Sequence, residues 1–264
     1  MSAPKTWHHG LVAEWWAEFN VGGPEIDYFG RFVRNGQPAL DAGCGTGRLL
    51  LPWLRAGYDV EGCDVSADMI ARCREAAGRE GYEPTLFVQP LHELGPPRRY
   101  ATIVVCGAFG LGSTRAEDEE ALRRLREALL PGGTLLLDNE APYANVDLWP
   151  YWTKEKRKDL PRPWREPGER SGTSDGAELA LRSRVVGMDP LDQSFQIELR
   201  AFKWRDGELV TQEEHELSMR CYFHDQLVLM LRAAGFEDVE VRAGYEDRPP
   251  TADDDFVVFV ARTD

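Results

Sequence analysis

The chain has 264 residues, 42% hydrophobic and 10% aromatic, enough apolar material for one large domain or for a domain carrying an insertion. Its formal net charge of −14 argues against an extended basic surface for nucleic acid and against attraction to an anionic membrane; Lys154, Lys156, Arg157 and Lys158 read as a solvated loop. Cys44, Cys63, Cys73, Cys106 and Cys221 show neither a C-x-x-C pair nor zinc spacing, and no run reaches the ~18 apolar residues of a membrane span, so the expectation is a reduced, cytoplasmic, metal-free protein.

In the N-terminal segment, Leu11, Trp15 and Phe19 recur at helical spacing, and Gly22-Gly23-Pro24 ends that helix before a second over 25–34. This segment is either an amphipathic pair packed on the domain or a flap over a ligand. His8 and His9 lack partners at metal spacing and are read as surface residues. From Gly36 the pattern alternates strand and helix, the mark of a parallel sheet covered on both faces. The first strand, 38–42, runs into Gly43, Gly45 and Gly47, which let the backbone turn with positive φ and let a ligand approach without Cβ interference. A dinucleotide fingerprint does not fit. Its third glycine would fall on Arg48 counting from Gly43, or on Leu50 counting from Gly45. The pattern is D-x-G-x-G-x-G, headed by Asp41.

A helix over 48–56 stops at Gly57, and the next strand, 59–64, closes on Asp64, where a carboxylate reaches a ribose diol. Ser66 is placed to cap a helix running through Arg79. Strands over 85–89 and 102–106 follow, the second an apolar run that predicts a central position. It opens into the loop 107–112 at the ligand edge of the sheet. A helix over 117–130, the turn Pro131-Gly132-Gly133 and a strand over 134–139 complete this half. Residues 140–176 mix prolines with Tyr143, Trp149, Tyr151, Trp152 and Trp164, and read as a packed loop or as a pocket wall. Three strand-like runs come next, 178–186, 195–204 and 209–220, with Asp206-Gly207 at the centre of a tight hairpin. A helix from His224 to Ala234, a strand over 236–242 and an antiparallel strand over 256–262 close the chain.

The Asp41–Gly47 turn resembles the first motif of class I S-adenosylmethionine-dependent methyltransferases. Gly62, Asp64, Ser66 and Met69 match the family's G-x-D-x-S-x-x-M, and Leu129, Pro131, Gly132 and Gly133 match its L-x-P-G-G. The meander resembles the cap of small-molecule N-methyltransferases acting on amino sugars and on glycine. The resemblance implies an α/β fold: a doubly wound, Rossmann-like, seven-stranded and mostly parallel sheet with an inserted antiparallel cap. Residues 1–35 would be the helical flap, 36–140 and 223–264 the core, and 141–222 the cap.

The implied cofactor is S-adenosyl-L-methionine, leaving as S-adenosyl-L-homocysteine. Asp41, Gly43, Gly45, Gly47, Asp64, Val65, Met69, Leu91, His92, Cys106 and Gly107 would hold it. Trp15, Phe109, Tyr143, Trp149 and Trp152 would face a small-molecule acceptor. The sequence departs from the family at Pro90, where an acidic residue for the adenine amino group is usual. A backbone N–H of Leu91 or His92, or the Gln89 amide, is expected to stand in. Cys106 reads as a small core residue. Glu140, His92, His215 and His224 are the nearest candidate bases, and none is assigned a catalytic role. Neither the Asn/Asp-Pro-Pro-aromatic motif of DNA amino-methylases nor the Pro-Cys of cytosine methylases is present. Two rival functions remain beside small-molecule methylation: a methylase of protein or RNA, and a non-catalytic cofactor-binding module.

Overall fold

The computed structural model describes residues 6–164 and 169–264; residues 1–5 of the expected flap and 165–168 of the irregular stretch lie outside it. Two helices open the chain, α1 (Gly10–Phe19) and α2 (Glu25–Asn35). The alternating part follows as β1 (Ala39–Ala42), α3 (Leu50–Arg55), β2 (Val60–Asp64), α4 (Ala67–Arg79), β3 (Leu86–Val88), β4 (Tyr100–Val105), α5 (Arg115–Ala128) and β5 (Leu129–Glu140). Next come a short α6 (Lys154–Arg157), β6 (Ser171–Gly172), β7 (Glu178–Asp189), β8 (Ser194–Arg205) and β9 (Glu208–Arg220). The chain closes with α7 (His224–Ala233), β10 (Asp238–Ala243) and β11 (Phe256–Arg262).

Seven strands form one sheet in the order β10-β11-β5-β4-β1-β2-β3, parallel except at β11. It is a doubly wound, Rossmann-like sheet. Successive residues of its central strands point to opposite faces, so each strand feeds two cores. Leu40, Ile103, Val105, Leu135 and Leu137 pack with Leu122 and Leu125 of α5 and with Leu227 and Leu231 of α7. Ala39, Val104, Leu136 and Val258 pack instead with Phe29 and Val33 of α2 and with Leu50 and Trp53 of α3.

The second sheet, β6-β7-β8-β9, is antiparallel. Alternate residues of β8, from Phe195 through Ile197 and Leu199 to Ala201, are buried, while Gln196, Glu198 and Arg200 are less covered. At the β8–β9 turn Asp206 and Gly207 have φ of 52° and 81°, the two left-handed residues that a type I′ hairpin requires. Helix α1 bridges the two sheets. The Gly10 N–H donates to Asp68 of α4 at 2.7 Å and the Leu11 N–H to Glu213 of β9 at 2.7 Å. Leu11 and Val12 meanwhile pack on Leu179, Leu199 and Ala201.

Several boundaries differ from the sequence reading, each for a local reason. Helix α3 starts at Leu50 rather than Arg48, because Gly47, at φ 96°, turns back to bond the Cys44 carbonyl. Helix α5 starts at Arg115, where Thr114 and Glu117 close a capping box, and it gives way at Leu129 to β5. Strand β5 begins at Leu129 because that residue already pairs with Tyr100, and Pro131-Gly132-Gly133 forms the irregularity before pairing resumes at Thr134. Strand β7 runs on to Asp189 through a bulge after Val185. Strand β10 begins at Asp238, since the Phe236 N–H is spent on the Leu231 carbonyl at the end of α7.

Candidate active site

A cleft enclosing about 1200 Å³, its open mouth included, lies beyond the C-terminal ends of β1, β2 and β4. Of the residues the sequence nominated for a cofactor, Asp41, Gly43, Gly45, Asp64, Val65, Met69, Leu91, His92, Cys106 and Gly107 line it, and Gly47 does not. The three turn glycines have three different reasons to be glycine. A Cβ on Gly43 would lie 2.4 Å from the Cβ of Ala108, and one on Gly47 would lie 2.9 Å from the Cys73 Sγ and the Leu51 Cγ. Those two positions serve close packing of the protein on itself. A Cβ on Gly45, at φ 53°, would meet nothing within 4 Å and would stand in the cleft. Gly45 alone of the three leaves room for a ligand.

Asp64 closes β2 beside that opening. Its carboxylate accepts the Gly45 N–H at 2.9 Å and the Ser66 N–H at 2.8 Å, so one side chain fixes both the turn and the start of α4. Burial raises its pKa and the backbone donors oppose that shift. Asp41, only 2% exposed, sits deeper. Its Oδ2 has no hydrogen-bond partner. Burial pushes the Asp41 carboxyl up to about 7, with Arg48 pulling it down and Asp64 adding to the rise. A buried acceptor with no donor is costly unless a ligand completes it.

Arg48 faces the cleft next to Asp41 and is the one Lys or Arg lining it among the described residues. It is ion-paired to the buried Glu25 of α2 and donates to the Cys106 Sγ at 3.3 Å. The Cys106 thiol in turn donates to Asp138 of β5 at 3.0 Å, and Asp138 also accepts the Gly107 N–H at 2.6 Å and the Tyr245 hydroxyl at 3.1 Å. Burial raises the pKa of both Cys106 and Asp138. Cys106 is therefore a protonated hydrogen-bond donor in the floor of the cleft, not an activated nucleophile.

The N-terminal segment forms the opposite wall. Thr6, His8, Trp16 and Asn20 line the cleft. The Ser66 hydroxyl donates to the His8 carbonyl, and the His8 ring lies 5.7 Å from that of Trp16. His8 is thus a wall residue, contrary to its reading as a surface side chain; burial, aided by His9, lowers its pKa to about 4 and keeps the ring neutral. His9 is exposed but meets the buried His215 of β9, Nε2 to Nδ1, at 3.2 Å. His215 contacts Glu213 as well, at 3.0 Å, and lines no part of the cleft; nor do Glu140 and His224.

The residues nominated for the acceptor lie elsewhere. Trp15 is one helix position from Trp16, about 100° around α1, and packs with Phe19 and the apolar face of the second sheet. Phe109 rests on Tyr222, ring centres 5.5 Å apart. Tyr143 meets Trp149 edge-on, Trp149 lies tilted against Trp152, and Trp152 meets Phe223 edge-on. None of the five lines the cleft; Tyr143, Trp149 and Trp152 form a local cluster, while Tyr151 packs on Val185 and Phe195 of the second sheet and Arg184 and Arg200 lie over the Trp164 ring.

The loop after β4 is sewn to the second sheet. Leu111 and Met219 form an antiparallel bridge, the Gly112 N–H donates to the Ser218 carbonyl at 2.7 Å, and the Arg220 N–H donates to that of Gly110 at 2.8 Å. Below it, Asp118 of α5 accepts the Tyr222 hydroxyl and the Ser113 hydroxyl, each at 2.5 Å, with the Arg220 Nε 3.8 Å away. Ser113, Glu117 and Asp118 line the cleft and were not singled out in the sequence, where Glu117 marks only the start of a helix.

Residues 39–133 match the family described as a methyltransferase domain. An S-adenosylmethionine-dependent methyltransferase from Clostridium acetobutylicum ATCC 824 superposes with a TM-score of 0.68 over 91% of each chain, at 16% identity. Residues 39–133 are thus similar to a methyltransferase domain, and the chain has the fold of S-adenosylmethionine-dependent methyltransferases. The fold is shared with a sugar N-methyltransferase from Streptoalloteichus sp. ATCC 53650 (TM-score 0.64, 18% identity, 92% of this chain and 88% of the other). A malonyl-[acyl-carrier protein] O-methyltransferase of Pectobacterium atrosepticum is 44% identical over 123 residues, 46% of each chain. No helix among the described residues is long and apolar enough to cross a membrane, and no group of three or more His, Cys, Asp and Glu among them could hold a metal ion.

Proposed function

We propose that the chain binds S-adenosyl-L-methionine in this cleft and transfers its methyl group to a small-molecule acceptor by in-line displacement. One juxtaposition carries the reading: room above Gly45, the Asp64 carboxylate beside it, and the unpartnered Asp41 Oδ2 next to Arg48. When bound, the cofactor supplies a sulfonium methyl that is already electrophilic, so alignment matters more than acid–base machinery. Asp64 would hold the ribose hydroxyls. Asp41 and Arg48 would meet the α-ammonium and α-carboxylate of the amino-acid end. Val65, Met69 and Leu91 would flank the adenine. The wall of Thr6, His8 and Trp16 would keep water from the reacting centre.

The small-molecule reading is supported by the sugar and acyl methyltransferases among the similar proteins and by a cleft roofed by the chain's own N-terminal segment. In this reading residues 141–222 select the acceptor through the seam at Leu111 and Met219. Calorimetric titration with S-adenosylmethionine, followed by methyl-transfer assays against amino sugars, hydroxyls and carboxylates, tests it. Binding without transfer to any class would leave only a cofactor-binding module. Transfer confined to protein or RNA would overturn the choice of acceptor.

A proton balance gives an independent check. A carboxyl whose folded pKa, about 7, exceeds its ordinary value of 3.8 contributes stability below about pH 4 that is lost as pH rises through about 7. Near pH 7 Asp41 is therefore partly protonated in the free protein. A cation arriving at its Oδ2 favours the carboxylate, so affinity should rise with pH through about 7. Binding at pH 7 should release roughly half a proton. Titrations in phosphate and in Tris should then give different heats, and Asp41→Asn should make them equal. Equal heats in the unmodified protein would take Asp41 out of contact with the cofactor's charge.

A further inference from the structure

The acidic residue that usually binds the adenine amino group is missing at Pro90, yet this end of the cleft is not bare. Each end of the Gln89 amide already has a partner: its Nε2 donates to the Glu93 carbonyl at 2.7 Å and its Oε1 accepts the Gly95 N–H at 3.1 Å. These two bonds tie the side chain into the loop 89–95 and leave it one free N–H and no carboxylate charge for a ligand. Asp118 is equally committed, to Tyr222 and Ser113. Glu117, one residue earlier on α5, is half used. Its Oε2 accepts the Thr114 N–H at 2.6 Å in the capping box. Its Oε1 lies 3.8 Å from the His92 Nε2, and the Glu93 Oε1 lies 3.9 Å from the same nitrogen. Both separations exceed a hydrogen bond, so the ring nitrogen and the carboxylate oxygen are both uncommitted. Glu117, His92 and Leu91 all line the cleft.

We propose that Glu117 and His92 read the amino-purine edge of the cofactor, Glu117 Oε1 accepting from the exocyclic amine and His92 Nε2 donating to the neighbouring ring nitrogen. The inference rests on the reading of the cofactor as S-adenosylmethionine. An adenine presents a donor beside an acceptor, and an acceptor beside a donor is its complement. The Thr114 backbone N–H holds the Glu117 carboxyl below the usual carboxylate range, so at neutral pH it accepts and does not donate. The capping box thus aims the carboxylate as well as starting the helix. The acid that the family takes from the end of its third strand comes here from the facing helix.

The test compares S-adenosylhomocysteine with its 6-oxo counterpart, S-inosylhomocysteine, by titration calorimetry. The oxo group replaces the amine's donor with an acceptor, which a carboxylate oxygen repels. The unmodified protein should prefer the adenine form by at least about tenfold, the scale of one charge-assisted hydrogen bond. Glu117→Gln keeps the capping box, since glutamine also serves at that position, and its amide can both donate and accept. It should weaken the adenine form by about tenfold and collapse the preference. Thr114→Ala breaks the box from its other side; it should lower the melting temperature and keep the preference. A Glu117→Gln protein that still prefers adenine as strongly as the parent overturns the proposal and leaves the cofactor reading intact. A parent protein that binds neither nucleoside overturns both.

Discussion

Replacing Gly45 with valine is expected to abolish S-adenosylmethionine binding while the far-UV spectrum stays native. The residue lies at φ 53° with no protein atom within 4 Å of its would-be Cβ, so the side chain has space in the free protein and takes the cofactor's. The left-handed backbone costs the variant about 1–2 kcal/mol, a modest loss of melting temperature. Gly43→Ala and Gly47→Ala make the contrast. Their Cβ atoms would press on Ala108 and on Cys73 and Leu51, so those variants should lose stability before they lose affinity. Titration and thermal melting of all three decide the matter. Normal binding by Gly45→Val would mean that the turn does not approach the ligand.

Asp64→Ala should weaken S-adenosylmethionine by tenfold or more. Loss of a charge-assisted hydrogen bond to the ribose is worth on the order of 1.5–3 kcal/mol. The same carboxylate also holds the Gly45 N–H at 2.9 Å, so its removal loosens the turn as well as the ribose contact. Asp64→Asn separates these contributions. Its remaining oxygen can accept one of the two backbone donors, and it should bind between the parent and the alanine variant. Affinity unchanged in Asp64→Ala would remove the residue from the site.

The cofactor half of the cleft was legible in the sequence because its chemistry is local. A strand, a glycine-rich turn and a carboxylate closing the next strand are each written in a few consecutive residues, and the parallel register of β1 with β2 brings Asp41 beside Gly62, two residues short of Asp64. The Asp-Gly hairpin was legible for the same reason. What sequence could not reach depends on long-range folding-back. His8 becomes a wall because Ser66, 58 positions away, bonds its carbonyl. Trp16 rather than Trp15 faces the cleft because Asp68 of α4 and Glu213 of β9 fix the rotation of α1 from two distant elements. The aromatic stretch 143–152 has the composition of a pocket wall, but its rings are taken up by one another, by Phe223 and, at Tyr151, by the core of the second sheet. Glu117 carries an ordinary capping signature, and only the approach of His92 across the cleft gives its second oxygen anything to do.

The Asn139 side chain, at the end of β5, donates to the Tyr222 carbonyl at 3.0 Å, just before α7 begins. The more than eighty residues between them therefore depart from and return to nearly the same point. Loops whose ends already meet can be lengthened, shortened or exchanged at little entropic cost to what remains. The same core could accept a different intervening segment and so a different acceptor, as long as the newcomer brings a strand end that can pair with Leu111. Diversification of such a chain would then proceed by transplanting one segment rather than by rebuilding a site residue by residue.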